Sequence, residues 1–132
     1  MRIAGSLIEE IVAHAREDAP NECCGLVAGR GGAATRVFRA RNEMASPLAY
    51  NVHSQDLLRI TEEIDEAGEE LAAIYHSHTK SPAEPSQTDI NLAANWPDPV
   101  YLICSIAEAD APVVRGWHLR DGRVAEVELE VE

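Results

Sequence analysis

The sequence is poor in positive charge. Across 132 residues it carries 11 Lys and Arg against 23 Asp and Glu, a net charge of −12. Recognition of a phosphate backbone rests on Lys and Arg, so nucleic acid is not an expected partner. The imbalance suits either solubility or a partner with a basic face. Some of it belongs to acidic runs at 62–70 and in "EVELEVE", which read as a solvated helix face and an edge strand. No apolar run approaches the roughly 20 residues needed to span a bilayer, so no membrane association is expected. The opening "MRIAGSLIEEIVAHAR" has an acidic pair inside its apolar pattern and does not read as a signal peptide, which makes the cytoplasm the expected location. Cysteine is scarce as well. Cys23, Cys24 and Cys104 are odd in number and show no C-x-x-C spacing, so they read as reduced, structural thiols rather than a disulfide framework or zinc knuckle.

What is present is a globular pattern. Apolar residues make up 45% of the chain, and the length suits one domain with a real core, taken as residues 1–132. Ser6-x-x-Glu9 has the form of a capping box. Leu7, Ile8, Ile11, Val12 and Ala15 follow at helical spacing, predicting a helix from Ser6 to Asp18 that stops near Pro20, with His14 on a solvated edge. "CCGLVAGRGG" and "TRVFRARN" read as two strands about a glycine turn. Leu48 to Val52 reads as loop and then strand. Ser54 is the expected N-cap of a helix from Gln55 to Ala67, ended by Gly68. Leu71 to Ser77 is a buried strand, Ser86 to Asn95 a short helix, and "VYLICSIA" another buried strand. Asp121-Gly122 between "VVRGWHL" and "RVAEVELEV" signals a hairpin. The expected class is α/β, a single domain with a mixed, mainly antiparallel sheet flanked by helices.

The chemistry concentrates in "AAIYHSHTKSPAEPSQTD". Residues two apart on a strand share a face, so His76 and His78 project together at the end of the strand and Ser77 points the other way. Seven residues separate His78 from Ser86, and two more separate Ser86 from Asp89 in the first turn of the next helix. Two imidazoles and a carboxylate make the three-ligand set of a catalytic zinc site, which keeps a fourth position open. A local alternative stands beside this reading: Ser86-x-x-Asp89 also has the form of a capping box. An acidified water needs a base, and two glutamates qualify. Glu84 lies in the flexible loop; Glu22, just before the "CCGLVAG" strand, is the better placed.

Glu22 in "PNECCGLVAG" followed by "HSHTKSPAEPSQTD" resembles the JAMM, or MPN-plus, metalloproteases, whose pattern is a glutamate before a Cys-Gly-Leu strand and then H-x-H-x₇-S-x-x-D. Every position is filled, and the resemblance spans nearly the whole chain. It implies a cytidine-deaminase-like JAMM/MPN fold and zinc-dependent hydrolysis of amide or isopeptide bonds. It also implies roles: His76, His78 and Asp89 as zinc ligands, Glu22 as general base and then acid, Ser86 as donor to the developing oxyanion.

The chain has no room for ubiquitin-cradling insertions between Gly29 and Thr35 or after Asn95, so it is similar to the short bacterial members. "VAHAR-x-D-x-P-x-E-x-CG" and "IYHSHT…PS-x-TD" resemble those that release cysteine from a ubiquitin-like sulfur-carrier protein. The implied substrate is such a carrier, cut after its C-terminal Gly-Gly, with cysteine biosynthesis as the setting. A general, phage or cell-wall JAMM peptidase and a non-catalytic MPN scaffold are the alternatives. The sequence does not specify an oligomeric state; a homodimer is the one candidate.

Overall fold

The computed structural model describes residues 1–132. The chain forms β1 (Arg2–Ile3), α1 (Gly5–Asp18), β2 (Cys24–Arg30), β3 (Ala33–Ala40), α2 (Ser54–Glu66), β4 (Glu70–His78), α3 (Gln87–Ala93), β5 (Val100–Ser105), β6 (Val113–Arg120), β7 (Arg123–Val127) and β8 (Glu130–Val131). All eight strands join one sheet in the order β7-β6-β5-β4-β2-β3-β1-β8. The β2–β3, β2–β4, β5–β6 and β6–β7 pairs are antiparallel, whereas β4–β5, β1–β3 and β1–β8 are parallel. The mixed, mainly antiparallel sheet with three helices is as expected.

β7 and β8 are successive in the chain but stand at opposite ends of the strand order. A flat eight-stranded sheet would hold its edges about 34 Å apart, and the two-residue link reaches only about 10 Å. The sheet therefore curls until its edges approach. The Met1 ammonium donates to the Glu128 carbonyl at 2.9 Å, and Glu130 N–H to Met1 O at 2.9 Å, which fastens the link and β8 to the β1 edge.

Alternation along the strands divides the core into two. One face carries Cys23, Val27, Ala73, Tyr75, Leu102 and Cys104 against Ile11 and Ala15 of α1. The other carries Cys24, Leu26, Ile74, Tyr101 and Ile103 against Ile60 and Ile64 of α2 and Ala93 of α3. Gly25 belongs to the first face. A Cβ there would stand 2.3 Å from the Tyr75 ring, so the glycine of "CCGL" is what lets that ring lie across β2. Asp121 and Gly122 both take positive φ, 53° and 72°, as the two-residue hairpin between β6 and β7 requires.

Several expectations are corrected. Ser6 is not the cap of α1: Ala4 holds the N-cap without a side-chain bond, and Gly5 N–H instead donates to Glu132 O at 2.9 Å, so the end of the chain beyond β8 does the capping. In α2 the cap is His53, whose Nδ1 accepts from Gln55 N, and the helix starts one residue earlier than Ser54 as N-cap implied. Leu48 to Val52 yields only a bridge between Asn42 and Val52. The expected "RVAEVELEV" strand divides into β7 and β8 because its halves serve opposite sheet edges. His14 is buried, not solvated. No helix is long and apolar enough to cross a membrane.

Candidate metal centre

β4 is flanked by β2 and β5, so its end is buried and its side chains have fixed directions. His76 Nε2 and His78 Nε2 are 3.2 Å apart. The Asp89 carboxylate meets both, Oδ1 at 3.1 Å from His76 Nε2 and Oδ2 at 3.0 Å from His78 Nε2. All three residues are buried. Ligand atoms 2.0–2.1 Å from a zinc ion lie about 3.3 Å apart along the edge of a tetrahedron, and this triangle is of that scale. Two nitrogens and a carboxylate oxygen are also a donor set that zinc accepts.

The surroundings orient each donor. His78 Nδ1 sits 2.8 Å from the Pro82 carbonyl. A carbonyl can only accept, so Nδ1 carries a proton; in the neutral ring Nε2 then turns its lone pair inward, and in the protonated ring it donates to Asp89. The His76 ring stacks on Tyr50, with centroids 4.2 Å apart and planes at 15°. Ser86 caps α3: its Oγ accepts from Asp89 N at 3.1 Å, and its own N–H donates to Asp89 Oδ2 at 2.9 Å. The capping box and the ligand triangle are thus one arrangement. The cap aims the carboxylate, and the Ser86 hydroxyl keeps its own proton to donate.

Glu22 reaches the same place through strand register. Cys24 pairs with His76 across β2 and β4, and Ser77 N–H donates to Cys23 O at 3.1 Å just beyond the last pair. Continued by two residues, this register sets Glu22 opposite His78, on the same face as both histidines. The side chain is 5% exposed, and Oε1 is buried with no hydrogen-bond partner. Burial, with the Asp89 charge in support and His78 opposing, raises its carboxyl to about 7. That suits a group that takes and returns a proton near neutral pH. Burial disfavours ionised Asp89, but the hydrogen bonds with His76 and His78 outweigh it and hold the carboxyl well below the usual range. His76 is pushed down by burial. In His78 burial acts the same way, and the Asp89 and Pro82 hydrogen bonds overcome it to raise the pKa.

The loop at 79–85 is fastened at three successive carbonyls. Ser105 Oγ donates to Ser81 O at 2.6 Å, His78 Nδ1 to Pro82 O, and Trp117 Nε1 to Ala83 O at 3.0 Å. Glu84, the other candidate base, is exposed and pairs with Arg115 at 3.3 Å, turned to solvent. Sequence reading missed Tyr50, Ser105 and Trp117. Nothing local in "SPLAY", "ICS" or "RGWHL" marks them, because each acts through a partner far away in the chain. The cysteines are buried free thiols, and burial raises Cys24 and its neighbours above ordinary thiol values.

With this geometry in place, the comparisons with known proteins are consistent among themselves. A family model described as prokaryotic homologs of the JAB domain matches residues 5–120. A CysO-cysteine peptidase of Mycobacterium tuberculosis is 36% identical over 131 residues, covering 98% of this chain and 89% of the relative. A desampylase of Haloferax volcanii is 38% identical over 112 residues, 80% of each chain. The solution structure of protein DSY2949 from Desulfitobacterium hafniense superposes with a TM-score of 0.90 at 32% identity, over 99% of this chain and 92% of that one.

Proposed function

The chain belongs to the prokaryotic JAB-domain family and is a metallopeptidase, and from that premise we propose that it cleaves the amide bond after the C-terminal Gly-Gly of a ubiquitin-like sulfur-carrier protein and releases cysteine. The observation that carries the chemistry is the buried His76–His78–Asp89 triangle with the Glu22 carboxylate on the same face. The substrate class follows from likeness to the CysO-cysteine peptidase over almost the full length of both chains. Residues 1–132 act as one catalytic domain.

His76, His78 and Asp89 would hold the zinc, which would supply Lewis acidity toward the attacking water and the scissile carbonyl. Glu22 takes the proton from the attacking water as the new C–O bond forms. It then delivers that proton to the leaving nitrogen as the C–N bond breaks, so the products are the carrier carboxylate and a free amine. The Ser86 hydroxyl donates to the carbonyl oxygen as that atom gains charge. His78, fixed by Pro82 O, and Asp89, fixed by the α3 cap, remain in place throughout. Glycine before the scissile bond has no Cβ to obstruct approach to a site set at the end of a buried strand.

The test is a carrier–cysteine adduct incubated with zinc-loaded enzyme and followed by mass. Loss of one cysteinyl residue, prevented by a chelator and by Glu22→Gln, is expected. An intact adduct beside efficient cleavage of unrelated peptides would establish a general peptidase instead. A folded chain that takes up no zinc would mark a non-catalytic scaffold.

A further inference from the structure

Beside Glu22 opens a cavity of about 820 Å³ with three arginines in its wall, Arg39, Arg41 and Arg59. Glu17, Asp18, Glu22 and Asp56 share the wall, so the question is which arginine is free of them. Two of the three are engaged elsewhere or loosely held. Arg39 is paired with Glu17 at 2.5 Å, and Arg59 lies 3.7 Å from Glu63 and 3.8 Å from Asp56. Arg41 is different. The buried Asp56 carboxylate grips it from behind, accepting from its backbone N–H at 2.8 Å, from Nε at 3.0 Å and from Nη2 at 3.0 Å. The Arg41 side chain is nevertheless 64% exposed, and Nη1 is committed to nothing. An arginine locked along one edge by a buried acid, with its other edge open to a cavity, is a preorganised receptor for an anion, and the guanidinium fork matches a carboxylate.

Its place relative to the chemistry follows from the strands. Asn42 Nδ2 donates to the Glu22 carbonyl at 3.0 Å, so Arg41 is chain neighbour to the residue that clasps Glu22. Glu22 delivers a proton to the leaving nitrogen in the mechanism above, and it is the one residue common to that mechanism and the cavity, which none of His76, His78 and Asp89 lines; a cavity reached through Glu22 suits the leaving group. When the leaving group is a free α-amino acid, a carboxylate stands one carbon beyond that nitrogen. When it is the side-chain amine of a protein, no carboxylate stands there.

We propose that this cavity receives the leaving residue and that Arg41 binds its free α-carboxylate, making the enzyme selective for release of a single C-terminal amino acid over cleavage of a protein side-chain isopeptide. The inference rests on the carrier-peptidase reading and narrows it. Arg41 is a specificity-determining residue, and Asp56 positions it.

The experiment compares two adducts of one Gly-Gly carrier, one ending in cysteine and the other in cysteinamide, which has the same shape without the charge. Zinc-loaded wild-type enzyme should show a kcat/KM about 10- to 100-fold higher on the acid, the usual value of a charged hydrogen bond, with most of the difference in KM. Arg41→Gln should lose that factor on the acid and bring acid and amide to the same kcat/KM, with zinc content and Tm checking that the variant folds. Calorimetric titration of chelator-treated protein should show the same preference in binding, absent in the variant. Equal cleavage of acid and amide by the wild type, or an equal loss on both in the variant, overturns the role of Arg41 and leaves the carrier reading standing. Cleavage of neither adduct overturns both.

Discussion

The molecule buries histidines in two places, and the two behave oppositely. On the α1 face His14 is satisfied at both nitrogens: Nδ1 lies 2.6 Å from the Tyr75 hydroxyl and Nε2 lies 3.2 Å from Asp18. On the α2–α3 face His76 and His78 aim Nε2 at each other across 3.2 Å with a carboxylate between them, and His76 Nδ1 has no partner at all. The first arrangement has a proton for every acceptor. The second turns both Nε2 atoms to one carboxylate, a set that either protons on the imidazoles or a shared cation can complete, and it leaves His76 Nδ1 orphaned. Burial of a histidine is therefore uninformative. What separates structure from chemistry is whether its hydrogen bonds close locally.

The harshest way to break the comparison is to remove one of the converging donors. His78→Ala should abolish stoichiometric zinc and with it all hydrolysis, measured by elemental analysis and by adduct cleavage. Chelation of the wild type should give the same loss of activity. It should also lower stability by about 4 kcal/mol relative to protein held at zinc a thousandfold above its Kd, since the ion binds only the folded chain. A His78→Ala protein that keeps one tightly held zinc would remove the triangle from consideration.

Next in size is the carboxylate that belongs to neither set. Glu22→Gln should keep zinc and fold while reducing kcat about 10²- to 10⁴-fold, the usual contribution of a general acid–base group. The same change should stabilise the chelated protein at high pH. Glu22 has a folded value near 7 against 4.5 unfolded, so ionising it costs the folded state. The penalty is absent below about pH 4.5 and complete above about pH 7. Denaturant melts of chelated wild type and variant should coincide at pH 4.5 and separate by about 1–3 kcal/mol at pH 8, with the variant the more stable. Curves that run parallel across that range would deny Glu22 its buried, raised carboxyl.

A smaller effect is expected from the fastened loop. Trp117→Phe removes the donor to Ala83 O, and Ser105→Ala the donor to Ser81 O, on either side of the Pro82 carbonyl that fixes the His78 tautomer. Each should weaken zinc by about 10-fold in competition with a chelator, as outer partners of metal ligands commonly do. Turnover at saturating zinc should change little. Unchanged zinc affinity in both variants would reduce the fastening to general stability.

How much of this was legible in the sequence depended on the range of the interaction. Periodicity found every helix and the main strands, because α1 and α2 show their apolar stripes and β4 and β5 are continuous apolar runs. The H-x-H pair shares a face by strand geometry alone, and Asp89 is fixed by a cap written three residues earlier. Caps that depend on distant chain were misread. Gly5 N–H is satisfied by Glu132, at the far end of the sequence, and no local pattern marks that. The stacking of Tyr50 on His76 and the grip of Asp56 on Arg41 were invisible for the same reason. His14 was misplaced because its burial depends on Tyr75 lying over Gly25, a contact between three separate elements.

The gentlest test falls on the satisfied histidine. Tyr75→Phe keeps the ring over Gly25 and removes only the hydroxyl that meets His14 Nδ1. The buried nitrogen then has no partner, and stability should fall by about 1–3 kcal/mol. Burial already lowers the pKa of His14, and it does so against the pull of Asp18. The ring therefore has little tendency to recover its loss by taking a proton near neutral pH, and the cost should appear as a lower Tm. Zinc affinity and kcat should not move, although Tyr75 is chain neighbour to His76. Side chains of adjacent strand residues point to opposite faces, so the two histidine environments are separated by the sheet itself. If Tyr75→Phe weakened zinc tenfold, the faces would be coupled through β4, and the contrast between a closed and an open histidine cluster would have to give way to a single network running through the sheet.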